Sequence, residues 1–214
     1  MKAIYSILLL AVPLLAHSSP FPESIVGGCG SCANVTSDQP GTSPAMLVDQ
    51  PATPPTHARI GPINEPGEPL RIKGKVLDAS GAPRAGVVVY AFQSNREGVH
   101  VLTADKRLTL RGWALSDAQG DYSFDTIRPS NVVKDDPAHI HFSVREVGRC
   151  AYFIDDIVFA DDPLLTESQR QKAKDARGGS GIVSLRKDLN GVWQATRDIK
   201  LGLNVPGYEH CKPR

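Results

Sequence analysis

The stretch PAHIHFSV at residues 137–144 sets two histidines, His139 and His141, on either side of a single isoleucine. In an extended strand alternate side chains share a face, so both rings project to one side with their bases ~7 Å apart. Two imidazoles at that spacing can converge on one ion, and imidazole serves zinc, copper and iron alike. Ile140 and Phe142 then face the other way, and their apolar packing fixes the register that aims the rings. The competing reading is two polar residues that merely share a strand face. The pair alone does not separate the two.

The elements around the pair read as an all-β chain. LRIKGKVLD (70–78), AGVVVYAF (85–92), GWALSD (112–117), DYSFDTI (121–127), HIHFSV (139–144) and AYFIDDIVF (151–159) alternate or run apolar, as strands do. Ser80-Gly81 and Gln119-Gly120 mark tight turns between them, and a sandwich is the economical way to bury such strands. Asn190-Gly191, between SLRKDL and VWQATRDIKL, predicts a hairpin. One short helix interrupts the plan: Thr166 and Gln169 have capping-box spacing, and ESQRQKAKDA is rich in helix formers before Gly178-Gly179.

The chain has 214 residues, 24 basic and 23 acidic, so no net field draws it to nucleic acid or to anionic lipid. Residues 1–18 read as a signal peptide: Lys2, the apolar run ILLLAVPLLA, and small residues before a cleavage point after Ser18. The expected location is therefore secreted or periplasmic. VGGC, ending at Cys29, offers a lipoprotein reading, but its cysteine stands far beyond the apolar run. No later segment approaches the ~20 apolar residues of a membrane-spanning helix. Residues 19–69 form a cysteine- and proline-rich arm, and 70–214 the sandwich. In an oxidising compartment Cys29, Cys32, Cys150 and Cys211 favour disulfides over free thiols. Of the three possible pairings, Cys29 with Cys32 and Cys150 with Cys211 is preferred, because the second would tie the tail to the sandwich.

With these elements in place, GEPLRIKGKVLDASGAPRAGVVVYAFQSNREG, then RGWALSDAQGDYSFDTIRP, then PAHIHFSV resemble in order and spacing the core of the intradiol ring-cleavage dioxygenases of aromatic diols. The resemblance covers Gly67 to Phe159, and GGCGSC, DDPLLT and LGLNVPGY look like the exported bacterial branch. It implies a prealbumin-like sandwich, a non-haem iron, and a catechol-like substrate cleaved with O2. In that family two tyrosines and two histidines hold ferric iron; His139 and His141 match the histidines. The tyrosine positions are substituted, the first by His100 after the Asn95–Gly98 turn and the second by Val132. The resemblance thus leaves His100, His139 and His141 as the metal set, with fewer negative charges than the family's and with copper or zinc as alternatives to iron. The tyrosinate-to-iron colour of the family should be absent.

Arg111, in LRGW, matches a family position near the cleft. Asp136 stands where an arginine commonly precedes PAHIH, and Asp156 falls where a glutamine is expected. Either acid would orient a ligand histidine, whereas Asp135, Asp136, Asp155 and Asp156 taken singly read as solvated strand ends. Tyr90 and Tyr122 look like core or interface tyrosines, Trp113 and Trp193 like sandwich core, and His57 and His210 like solvated histidines. Two further functions compete with a dioxygenase: a non-catalytic sandwich that binds or spaces, or a pseudoenzyme, since GKVLDASGAPRAGVVVY with SDAQGDYSF also fits prealbumin-like and carboxypeptidase-regulatory-like modules; and a three-histidine copper or zinc protein with altered chemistry.

Overall fold

The computed structural model describes Met46 and residues 49–211. The expected signal peptide and the Cys29 and Cys32 pair lie outside the described residues. Among the described residues eleven strands form two sheets, as the alternation of the sequence requires. They are β1 (His57–Arg59), β2 (Pro69–Leu77), β3 (Val87–Gln93), β4 (Arg111–Leu115), β5 (Asp121–Ile127), β6 (His139–Glu146), β7 (Ala151–Phe159), β8 (Ile182–Val183), β9 (Arg186–Lys187), β10 (Trp193–Thr196) and β11 (Ile199–Lys200). The first sheet runs β1-β5-β2-β10-β9, with β11 also on β2; the second runs β4-β3-β6-β7-β8.

The inner faces meet in one core. Leu70, Ile72, Val76, Tyr122 and Phe124 from the first sheet pack on Val87, Val89, Ala91, Ile140, Phe142 and Val144 from the second. Phe124 meets Phe142 edge-on, ring centroids 6.1 Å apart, an arrangement that aromatic quadrupoles favour. Because side chains alternate, this leaves Val88, Tyr90 and Phe92 of β3, Arg111 and Trp113 of β4, and His139, His141 and Ser143 of β6 on the outer face of the second sheet. That face is covered too. Met46 is buried in a second apolar cluster with Val88, Tyr90 and Ala151, against which Phe92, Trp113 and Leu115 pack.

The arm is anchored more firmly than its prolines suggest. Trp113 Nε1 donates to the Met46 carbonyl at 2.7 Å, and the Leu115 and Ser123 amides donate to the Pro55 and Thr56 carbonyls. His57–Arg59 then pairs in parallel with Ser123–Asp125, so residues 57–59 of the arm supply an edge strand of the sandwich. The hairpin at Asn190-Gly191 forms, β9 antiparallel to β10, and Gly191 takes the left-handed conformation, φ 79°. The helix, α1 (Glu167–Lys172), carries the expected capping box but ends before the glycines, tightening into a 3-10 turn at Ala173–Asp175. Cys150 and Cys211 are disulfide-bonded with Cα atoms 5.7 Å apart, which fastens the tail to the strand turn as expected. No helix among the described residues is long and apolar enough to cross a membrane.

Candidate metal centre

β6 carries His139 and His141 on its outer face, and the inward Ile140 and Phe142, both fully buried, prevent the strand from slipping and turning the rings inward. The ring centroids are 4.6 Å apart and the rings nearly perpendicular. His139 Nδ1 donates to the Pro137 carbonyl at 2.8 Å, which assigns the proton to that nitrogen and leaves the Nε2 lone pair available to an ion. Phe92, the cross-strand partner of His141, stacks on its ring at 4.3 Å and holds its plane.

The third group comes from a β-bulge. β6 and β7 pair His139 with Val158 and Ile140 with Ile157, then Phe142 with Ile154, so β7 holds an extra residue opposite His141. The bulge separates two consecutive carboxylates. Asp155 turns to Arg177, whose Nε donates to it at 2.9 Å. Asp156 turns to the histidines and is buried, its Oδ2 3.1 Å from His141 Nδ1. The bulge is braced from behind: the buried Arg197 donates to the Asp155 and Ser180 carbonyls. A Cβ on Gly181 would come within 1.8 Å of the Asp156 carbonyl, so only glycine permits this approach. Burial on its own would push the Asp156 carboxyl up; attraction to His141, then His139 and Arg177, outweighs it and holds the group below its ordinary range. Asp156 is therefore an anion, and its reading as a solvated strand end is corrected.

One ligand atom from each of His139, His141 and Asp156 lies within 4.8 Å of the other two. His100 stands outside that group, its ring 5.9 Å from the ring of His141 and 6.0 Å from that of Phe92. It follows the turn that Asn95 closes by accepting the Glu97 and Val99 amides on its side chain. Gly98 in that turn, φ 75°, lies so close to the Asn131 carbonyl that a Cβ would be 2.1 Å from it. Burial, then the charges of His141 and His139, pull the His100 pKa down to about 4, so its ring is neutral near pH 7.

The remaining expected residues are placed as follows. Arg111 pairs across β4 and β3 with Phe92, itself paired with His141, so Arg111 lies in the same row two strands from the histidine. Its guanidinium binds Asp49 at 2.8 Å and covers the Trp113 ring. Asp136 is half-buried in the turn before β6, its amide donating to the Val133 carbonyl, and is not brought into the ligand group. Val132 is 44% exposed. The four described tyrosines serve elsewhere: Tyr90 in the outer cluster, Tyr122 donating to the Arg197 carbonyl, and Tyr152 and Tyr208 donating to Glu146. Trp113 belongs to the outer cluster and not to the inter-sheet core, whereas Trp193 packs on the core's edge. His57 is exposed but bonded, to Ser123 and Asp125.

Asp156 is the residue that strict alternation misplaces. A signal for it was present: Tyr152, Ile154, Ile157 and Phe159 are spaced two, three and two, and the single step of three in a period of two marks a bulge.

The sandwich that carries this histidine pair is a fold shared with known dioxygenases. A family model described as Dioxygenase matches residues 42–180, and the chain belongs to the intradiol ring-cleavage dioxygenase family. Among curated proteins it is similar to a catechol 1,2-dioxygenase of Candida albicans, 28% identical over 62% of this chain and 54% of that one. It is also similar to a protocatechuate 3,4-dioxygenase beta chain of Burkholderia cepacia, 31% identical over 46% of this chain and 48% of that one. The chain thus spans about half the length of the curated relatives it matches. The fold is shared with the dioxygenase domain of a carbohydrate-binding fusion protein from Streptomyces sp. SirexAA-E, with TM-score 0.54 and 22% identity over 71% of this chain and 90% of that one. It is equally shared with catechol 1,2-dioxygenase from Pseudomonas arvilla C-1, with TM-score 0.54 and 23% identity over 71% and 58% of the two chains.

Proposed function

We propose that this protein is a secreted, metal-dependent dioxygenase of the intradiol type, which cleaves a catechol-like aromatic diol with O2. The observation that carries the reading is the convergence of His139, His141 and the buried Asp156 within 4.8 Å of one another, in a chain of this family. Two imidazoles and a carboxylate are donors that iron accepts, so His139 and His141 would hold the ion the family implies. Bound there, iron supplies a Lewis-acidic centre at which diol oxygens and O2 are brought together.

The protein's own part is positioning. Pro137 fixes the tautomer of His139, and Phe92 fixes the plane of His141. The neutral His100 ring stands one step further out, its centroid 5.9 Å from that of His141, where it would orient a diol hydroxyl by hydrogen bonding. Export is supported by the leader-like residues 1–18 and by the Cys150–Cys211 disulfide, a bond that persists in oxidising compartments.

Metal analysis of the purified protein combined with oxygen uptake on a panel of catechols tests the reading. Stoichiometric metal and catechol-dependent uptake are expected. Bound metal without uptake by iron-loaded protein would favour a metal-binding relative with altered chemistry, and the absence of any bound metal would favour a non-catalytic sandwich.

A further inference from the structure

We infer that Asp156 is itself a metal ligand, so that His139, His141 and Asp156 form a two-histidine, one-carboxylate site for a divalent first-row transition ion. The inference rests on the reading of this site as a metal centre and specifies its ligands and the charge of its ion.

Three observations lead there. Asp156 Oδ2 is buried and accepts no hydrogen bond, a costly state for a carboxylate oxygen unless another partner exists. His141 Nδ1 is 3.1 Å away, without the alignment of a hydrogen bond. A separation of about 3 Å without hydrogen-bond alignment is what two neighbouring ligands adopt at right angles around an ion ~2.1 Å from each. His139 meanwhile has committed Nδ1 to Pro137, leaving one nitrogen for the same ion.

The charge of the donor set selects the ion. No described tyrosine joins the group, so it offers one negative charge from Asp156 and two neutral nitrogens. A hard trivalent ion is stabilised by several anionic oxygens, whereas two imidazoles and one carboxylate with positions left open suit ferrous iron and its divalent neighbours. The buried Arg197 and the close approach of Gly181 explain how the site is kept: they brace the bulge that turns Asp156 away from Arg177 and toward the histidines.

Cobalt(II) reports ligand number and type, so it serves as the probe. X-ray absorption on the cobalt-loaded wild-type chain should show two imidazoles with oxygen completing the shell; three imidazoles would overturn the inference in favour of His100 as ligand. Asp156→Asn keeps an acceptor beside His141 and removes the anionic ligand. It should weaken cobalt binding about 100-fold or more, with an altered visible spectrum for whatever binds, while His100→Ala stays within about threefold of wild type. An Asp156→Asn protein, folded by circular dichroism, that binds cobalt with an unchanged spectrum would reduce Asp156 to a positioning residue and overturn the assignment. A wild type that binds no metal would instead remove the metal centre itself, and with it the proposed function, so the two failures are distinguishable.

Discussion

Two histidine–carboxylate pairs sit on opposite sides of this sandwich, and they differ in what surrounds them. His57 and Asp125 pair at 2.9 Å on the first sheet, with the His57 side chain 53% exposed. His57 Nδ1 reaches Ser123 at 2.7 Å, and Asp125 also accepts from Arg71 Nε at 2.7 Å. Every side-chain polar atom of that pair has a hydrogen-bond partner. His141 and Asp156 make a pair of similar length on the second sheet, but both are buried and the Asp156 oxygen facing the ring is left without a hydrogen bond. A satisfied surface pair contributes little beyond solubility and a few tenths of a kcal/mol. A buried carboxylate oxygen without a hydrogen bond is costly, and a further partner would offset that cost. Residue type alone would rank the two alike; burial and bonding separate them.

His141→Ala should lower catechol-dependent oxygen uptake by at least ~10³-fold, equivalent to about 4 kcal/mol of lost transition-state stabilisation. His57→Ala should stay within about twofold of wild type in the same oxygen-electrode assay. If both variants fall together, the surface pair takes part in the reaction and the contrast fails.

The two faces of β6 sharpen the contrast in terms of stability. Phe142, fully buried against Phe124, should cost about 3–5 kcal/mol when replaced by alanine, as a cavity opens in the inter-sheet core. Ser143, its neighbour on the outer face, is buried with a hydroxyl that has no hydrogen-bond partner. Ser143→Ala leaves no new group unsatisfied, so urea midpoints should place it within ~0.5 kcal/mol of wild type. The disulfide is expected to act on the scaffold alone. Replacing Cys150 and Cys211 by serine releases a loop of sequence separation 61, worth about 2–4 kcal/mol. Metal affinity measured on that variant below its unfolding temperature should be unchanged; a parallel loss would show that the tail supports the site.

How far the sequence disclosed this arrangement follows from how local each signal is. The alternation in PAHIHF placed both histidines on one face, because period-two patterning is a property of each strand by itself. The capping box at Thr166 and the Asn190-Gly191 hairpin were legible for the same reason. The strand His57–Arg59 was not: three residues carry no pattern, and its backbone bonds go to Ser123–Asp125, more than sixty positions away. Asp156 carried two readings, a carboxylate that orients a histidine or a solvated strand end, and the step of three between Ile154 and Ile157 is what turns it to the face of His141. The absence of phenolate ligands from the described site, by contrast, was visible in His100 and Val132, but their substitution does not reveal that a carboxylate on the adjacent strand takes up a place beside the histidines.

The smallest effect tests the surface pair on its own terms. Burial would raise the Asp125 carboxyl, but the bonds from Arg71 and His57 outweigh it and leave it below its ordinary value. A carboxylate whose folded pKa is depressed adds stability that is fully present above its unfolded pKa of ~4 and is lost as the pH falls through the lower folded value. Asp125→Asn should therefore destabilise the protein near neutral pH, by less than about 1 kcal/mol because the partners are largely exposed and screened by salt. The deficit should shrink toward zero below about pH 3, where the wild-type carboxylate also takes up its proton. Urea unfolding of both proteins across that range measures it. A deficit that persists in acid, or one that exceeds 2 kcal/mol at neutral pH, would mean that the exposed pair is not the weak, satisfied counterpart of the buried one, and that burial is not what distinguishes them.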